Sequence, residues 1–416
     1  MQGADEGAHL ARADQISRGG LIARRIGPHM SGGTIDSGTM VAINRFYPLR
    51  MHGDWRLSRN MFMPIPWGSD TTIGFPNTAL YPPLFYVPDA AAICAGKWLG
   101  LSVLPTLRLA RMMAGLCAVA VSALAISLSG GCGLWLFALL LLPSSAMQMA
   151  VISQDGLMLA AAALAAALML RLQRSALAGG DGAGGWRGEL VILSLLLALI
   201  AMARPPYAAF VILPLACCAP PARARWAAAG ALVLAAAWWA ICAIYTVVNV
   251  DPTHAANPAA QLILLFKHPW RLVPLADSTI AKYGDFYTRL FVSPIDMPPG
   301  YTGIAWAMLL LAGIATALAC QPPRWYTAVL AVAAIAASVA GIFAIQYLTW
   351  TPVGFPTIEG VLGRYFLPPA AFLMLCLGAP LPRAGRLSSW LALPVKAFPV
   401  LSVVVVVHTL VLKFYF

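Results

Sequence analysis

Apolar runs dominate the chain after residue 106, and short polar stretches separate them. The runs cover 107–127, 134–152, 157–170, 190–203, 207–219 and 226–248, then 303–320, 325–350, 365–378 and 397–416. Residues 1–80 differ: they are polar, rich in Gly and Pro, and hold 8 basic and 6 acidic residues. A second polar stretch, 249–302, interrupts the series. This pattern predicts an all-α polytopic membrane protein of about ten spans, with six spans in 107–248 and four in 303–416. Several runs fall short of the ~20 residues that a straight helix needs to cross hydrocarbon. The pair flanking Arg204-Pro205-Pro206 is therefore expected to form a bent or half-buried hairpin.

Residues 82–104 decide the orientation. They are apolar enough to span, but contain Pro82, Pro83, Pro88, Asp89 and Lys97. If they lie at the interface, one side of the membrane receives Arg171, Arg174, Arg187, Arg223, Arg225, Arg324, Arg383, Arg386 and Lys396. The short connections on the other side then hold Arg108, Arg111, Arg204 and Arg364. Nine against four favours this interfacial reading, because positive charge is retained in the cytoplasm. Trp135, Trp186, Trp226, Trp325 and Trp390 then begin runs at the cytoplasmic edge. Residues 1–106 and 249–302 fall outside the cytoplasm. No signal peptide follows Met1, so an external start requires a further span upstream of this chain. The Gly-rich tract 179–185 is expected to be a flexible cytoplasmic loop.

Composition agrees with this class. Of the 416 residues 60% are apolar and 10% charged, against about 25% charged in soluble domains. The net charge of +12 comes from loop arginines that write topology, so nucleic acid is not an expected partner. The eight cysteines show no C-x-x-C or C-x-x-H spacing, and read as small core residues rather than a zinc site or disulfide framework.

The runs carry almost no charge, which argues against an ion or proton pathway. Charges sit at run ends: Asp5-Glu6, Gln154-Asp155, Arg204, Glu359 and Arg364. Far apart in sequence, they share one leaflet in the chosen topology. Residues 8–16 read as an amphipathic helix, with Asp5 and His9 one turn apart on one face. Each residue has a structural reading: Asp5 and Asp155 as helix caps, Arg204 and Arg364 as snorkelling cations, Tyr365 as an interface aromatic. Their shared side favours a site, because binding needs convergent polar groups. Carboxylates serve as general bases toward hydroxyls, and guanidinium groups hold phosphate. Such a set suits a phosphate-bearing lipid and a hydroxyl acceptor. No nucleotide-binding loop occurs.

At these residues the sequence resembles domain-of-unknown-function family 2142, a bacterial membrane family related to the GT-C glycosyltransferases. The resemblance rests on Asp5-Glu6-Gly7-Ala8-His9-Leu10 and Arg12-Ala13-Asp14-Gln15-Ile16-Ser17. It continues through residues 77–88 (NTALYPPLFYVP), Ser153-Gln154-Asp155-Gly156, Ala203-Arg204-Pro205-Pro206-Tyr207 and Gly363-Arg364-Tyr365-Phe366-Leu367-Pro368. It implies a GT-C-like bundle whose first span lies upstream of this chain. It also implies a catalytic base at Asp5, with Glu6 beside it and Asp155 as a second acid. Arg204 is implied as a contact to the lipid phosphate, in a substrate set with His9, Tyr207, Arg364 and Tyr365. Many relatives carry Lys where Arg204 stands.

The expected activity is inverting transfer of a sugar from a polyprenyl-phosphate donor to a glycan or lipid acceptor, outside the bacterial plasma membrane. Residues 81–104 and the loop with Lys267, His268 and Arg271 are expected to close over the acceptor. No cofactor is expected; the resemblance leaves a divalent metal open, since some superfamily members use one with a D-x-D pair, but no such pair occurs here, which argues against it. The rival readings are a transporter or flippase of a lipid-linked glycan, and a non-catalytic envelope assembly protein. The chain shows neither an internal repeat nor midplane charge, which weakens the transporter.

Overall fold

The computed structural model describes residues 5–51, 57–177, 185–216, 221–248, 256–380 and 385–415. Residues 179–184, Cys217, Cys218 and Arg383 lie outside them. The chain before the apolar runs folds into its own small layer. Helix α1 (Glu6–Ser17) leads into an antiparallel sheet of β1 (Arg24–Gly27), β2 (Met30–Asp36) and β3 (Asp70–Gly74), with β2 in the middle. Helices α2 (Ser37–Met51), α3 (Pro76–Ala79) and α4 (Val87–Trp98) complete it.

The expectation of an amphipathic surface helix at α1 is corrected here. Every residue from His9 to Ile16 is buried, because α2, α3, α4 and β2 pack around the helix. Its polar side chains act as internal ties. The Arg12 guanidinium donates to Gln15 Oε1 (2.5 Å) and to the carbonyls of Leu21 (2.7 Å) and Tyr81 (3.1 Å). Asp14 accepts from the Asp36 backbone N–H at 2.7 Å, and Arg18 bridges Asp14, Asp36 and Asp70. These bonds hold the sheet to the helix and fix the loop that carries Tyr81.

Among the described residues, six helical stretches are long and apolar enough to cross a membrane. They are Val103–Leu140, Gln154–Ser175, Ala222–Tyr245, Tyr301–Leu318, Trp325–Thr349 and Arg386–Lys413. The first joins α5 (Val103–Ser129) to α6 (Gly133–Leu140). After a break at Leu141-Leu142, α7 (Pro143–Ala150) follows with Pro143 in its first turn, where a missing N–H costs nothing. The others are α8 (Gln154–Leu177), α10 (Pro221–Tyr245), α13 (Tyr301–Leu318), α14 (Trp325–Thr349) and α17 (Arg386–Tyr415). The remaining expected runs are shorter or broken. Helix α9 spans Gly185–Ala203, and Pro205–Ala216 forms a 3-10 helix, which Pro205, Pro206 and Pro214 keep from becoming a regular α-helix. The 365–378 run is a 3-10 turn (Gly363–Phe366) followed by two short helices, α15 (Leu367–Ala371) and α16 (Met374–Leu377). Between α10 and α13 lie α11 (Pro258–Lys267) and α12 (Leu272–Val292).

Helix α8 is the axis of the bundle. Protein covers 83% of its apolar stretch, against 17–33% for the other five. Seven of its buried residues are alanine (Ala160, Ala161, Ala162, Ala163, Ala165, Ala166, Ala167), among larger ones such as Leu159 and Met169, so α5 and α9 approach closely. Helix α4, at the stretch that decides orientation, has only 12 residues and packs on α1 and α5. Asp89 in its first turn is fully buried, and burial with Glu6 nearby pushes its carboxyl well above the usual range.

The reading of all eight cysteines as unbridged is also corrected. Cys132 and Cys320 are 188 residues apart and form a disulfide, with Cα atoms 6.7 Å apart. The turn after α5 and the two-stranded pairing of β4 (Cys320–Gln321) with β5 (Ala379–Pro380) bring them together. Among the described cysteines, Cys94, Cys117, Cys242 and Cys376 are free.

Candidate functional site

The polar residues at the run ends converge at one end of the bundle. Asp155, in the first turn of α8, is 1% exposed. Arg204 Nη2 donates to its Oδ1 at 2.9 Å, and Arg364 Nε lies 3.7 Å from its Oδ2. Arg364 Nη2 in turn lies 3.4 Å from Asp5 Oδ2. A buried carboxylate without cations would be costly, so Asp155 fixes where both guanidinium groups stand. The Tyr365 ring packs against both, 4.2 Å from Arg204 and 5.5 Å from Arg364.

Backbone geometry allows this convergence. A Cβ on Gly156 would come within 2.6 Å of the Gln148 carbonyl, so only glycine lets α8 start so close to α7. A Cβ on Gly363 would overlap the backbone of Tyr287 and Phe291, which lets the 3-10 turn carrying Arg364 lie directly on α12.

Asp5 is not the helix cap that the conservative reading proposed. Its side chain makes no capping bond, and its φ is +63°, the only positive value at a non-glycine position among the described residues. Left-handed backbone is unusual away from glycine and concentrates at functional positions. Here it directs the carboxylate toward Arg364.

These groups face a cavity of about 590 Å³. Asp5, His9, Arg204, Arg364 and Tyr365 line it, together with Asn77 and Tyr81. The opposite wall is largely apolar, built from Trp239 of α10 and Ile342 and Ile345 of α14. Arg204 Nε has no hydrogen-bond partner among the described residues, so this guanidinium keeps an unused donor beside the cavity. Among the described residues, no group of three or more His, Cys, Asp or Glu could hold a metal ion.

Three residues expected in the site stand behind it. Asp155 lies beneath the arginines and does not line the cavity. Glu6 is 1% exposed; its Oε1 accepts from Arg111 Nε (2.8 Å) and from the Ile152 N–H (3.2 Å), tying α1 to the start of α8. Tyr207 is fully buried and donates to the Tyr365 carbonyl at 2.8 Å, holding that ring in place. Lys267, His268 and Arg271 do not line the cavity; its rim comes from residues 77–81 and 346–365. Sequence reasoning assigned no role to Trp239 or Gln346, and gave Tyr81 one only as the first residue of the segment expected to close over the acceptor. Tyr81 lies within the NTALYPPLFYVP motif, the one available signal.

His9 is buried 2.6 Å from the Tyr86 hydroxyl, with its ring stacked on Tyr81 at 5.8 Å. Burial pulls its imidazole down to about 4, with Arg364 and Arg204 reinforcing and Asp155 and Asp5 opposing. It is therefore neutral at pH 7. Burial raises the Tyr81 phenol to about 12, so it keeps its proton. Two arginines and two carboxylates leave the cluster close to electroneutral.

Fold and site thus define a multi-pass membrane protein with a paired-arginine cavity at one end. The family model described as a predicted membrane protein, DUF2142, matches residues 1–373, and the chain belongs to that family. No curated relative and no solved structure matches the chain.

Two predictions follow from the buried charges. Asp155→Asn leaves both arginines without their buried counter-charge and should lower stability by about 3–5 kcal/mol, read by thermal unfolding in detergent. An unchanged melting temperature would remove Asp155 from its organising role. For His9, the unfolded chain takes up a proton near pH 6.5 and the folded protein only near 4. Stability should therefore fall as pH drops from 6.5 to 4, by roughly 3 kcal/mol from this residue. His9→Gln should flatten the profile across that window; identical profiles would refute the assignment.

Proposed function

We propose that this protein is an inverting glycosyltransferase that takes a sugar from a polyprenyl-phosphate donor and transfers it to a glycan or lipid hydroxyl. One observation carries the reading: the cavity joins a paired-arginine, carboxylate-bearing wall to an apolar wall formed by α10 and α14. A lipid phosphate needs both. Its charge sits against Arg204 and Arg364, and the first units of its chain lie along Trp239, Ile342 and Ile345.

In this mechanism Asp5 takes the proton of the acceptor hydroxyl. The oxygen attacks the anomeric carbon from the face opposite the phosphate, so configuration inverts as the bond to phosphate oxygen breaks. The arginines stabilise the negative charge that develops on the leaving polyprenyl phosphate. Asp155, Glu6 and Tyr207 act as positioning residues: Asp155 for the arginines, Glu6 for the start of α1, and Tyr207 for the Tyr365 ring. The neutral His9 and Tyr81 offer hydrogen bonds to sugar hydroxyls without adding charge.

We place the site outside the plasma membrane. Glu6, Arg111, Asp155, Arg204 and Arg364 cluster at one end of the bundle. At the other end Arg174 donates to the carbonyls of Leu128 and Ser129, next to Cys132. The orientation is tested in whole cells on a Cys94→Ser background. Trp98→Cys, at a position 86% exposed, should react with a membrane-impermeant maleimide, and Trp325→Cys, at one 77% exposed, should not. The reverse pattern would invert the orientation.

Catalysis is tested with the wild type and Asp5→Asn in lipid nanodiscs, supplied with polyprenyl-phosphate sugars and envelope glycans. The wild type should release free polyprenyl phosphate, and Asp5→Asn should release at least about 100-fold less, the usual scale for losing a general base. Equal release from both would remove Asp5 as the base. A transporter would move the intact donor across the bilayer and release none.

A further inference from the structure

A second cavity, of about 560 Å³, lies apart from the site and shares none of its lining residues. Helices α5, α7 and α17 form its walls, and Phe46, Leu57 and Phe62 of the N-terminal layer reach over it. Nearly all of its lining is apolar. Among the described residues, the charged side chains that line it are Arg108 and Arg111, one turn apart near the start of α5, and none is acidic.

The two arginines are in different states. Arg111 is paired with Glu6 at 2.7 Å. Arg108 is exposed and has no hydrogen-bond or ion-pair partner among the described residues. A free cation therefore stands at one end of an apolar groove. Along α17 the lining runs from Pro399 to Leu410. At 1.5 Å per residue that is about 16 Å, roughly half the thickness of a hydrocarbon core. A soluble anion would leave this length of apolar wall bare, and a neutral hydrocarbon would leave Arg108 unmatched.

We infer that this groove is a binding site for an anionic phospholipid, with one acyl chain along α17 and the phosphate at Arg108. The site is separate from the proposed transfer reaction and does not depend on it. Phe46, Leu57 and Phe62 distinguish it from the ordinary lipid-facing surface, because they fold the N-terminal layer over the bound chain.

Native mass spectrometry of the full chain in detergent tests this, with phosphatidylglycerol and phosphatidylcholine of identical chains as probes. The wild type should retain phosphatidylglycerol about fivefold more strongly, the scale expected for one interfacial arginine. Arg108→Gln should bring the two lipids within about twofold of each other. Ala146→Trp fills the groove and should weaken both lipids; Val403→Trp, at a position 63% exposed on the groove wall, gives the same test without disturbing packing. Glycerol 3-phosphate, which has the headgroup charge but no chain, should not compete. No preference in the wild type, or a preference that survives Arg108→Gln, would overturn the site. Arg108-dependent displacement by equimolar polyprenyl phosphate would overturn the phospholipid in favour of a longer-chained occupant.

Discussion

One negative charge, on Asp155, sits where the chain cannot leave it unmatched. It is buried at the first turn of the most enclosed helix, and the cations that match it come from two later segments. The Arg204 hinge and the Arg364 turn must therefore both close on α8 before the bundle is electrostatically sound. Glycine at 156 and 363 removes the side chains that would keep these backbones apart. The Glu6–Arg111 pair repeats the device on the neighbouring helix, and it fastens α1 where Asp5 can reach Arg364. Ion pairing, more than apolar burial, sets the shape of this end of the protein.

Much of this was legible in the residue pattern. The apolar runs coincide with helical segments, and the run after Arg204-Pro205-Pro206 is irregular where prolines had suggested it. Arg204, Arg364 and Tyr365 meet at one cavity because they stand at run ends on one side of the bundle, and the N-terminal layer brings Asp5 and His9 to them. What stayed hidden depends on packing that no spacing encodes. Nothing local says that Asp155 lies behind the arginines rather than beside Asp5, or that Glu6 turns toward Arg111. The β2 segment, Met30–Asp36, lacks the alternation that marks a half-buried strand, so the small sheet went unforeseen. Helix α1 looked amphipathic because its polar residues were assumed to face water; Arg12 and Asp14 instead bond inward. Cys132 and Cys320 meet only through the turn after α5 and the β4–β5 pairing.

The two cavities differ in what they offer a ligand. One places charge against aromatic rings and an apolar wall, and the other is nearly all hydrocarbon, with Arg108 unmatched among the described residues. Arg111 lines the second, and its partner Glu6 is the neighbour of Asp5 in the first. A lipid anion drawn toward Arg111 would compete with Glu6 for it. The N-terminal layer, with Phe46 over one cavity and Asp5 in the other, connects the two.

The alanines of α8 have a consequence for biogenesis. Alanine gains far less than leucine on leaving water for lipid, because it removes less apolar area. Helix α8 therefore has a weak claim to the bilayer as an isolated segment, its mean hydropathy of 1.7 equalling the lowest among the six candidate spans, and it also brings Asp155 with it. Its stable residence depends on α5, synthesised before it, and on α9 and Arg204, synthesised after it. The central helix of the folded protein thus becomes secure only after later segments are made, and newly made chains are most exposed to quality control in the interval before Arg204 arrives.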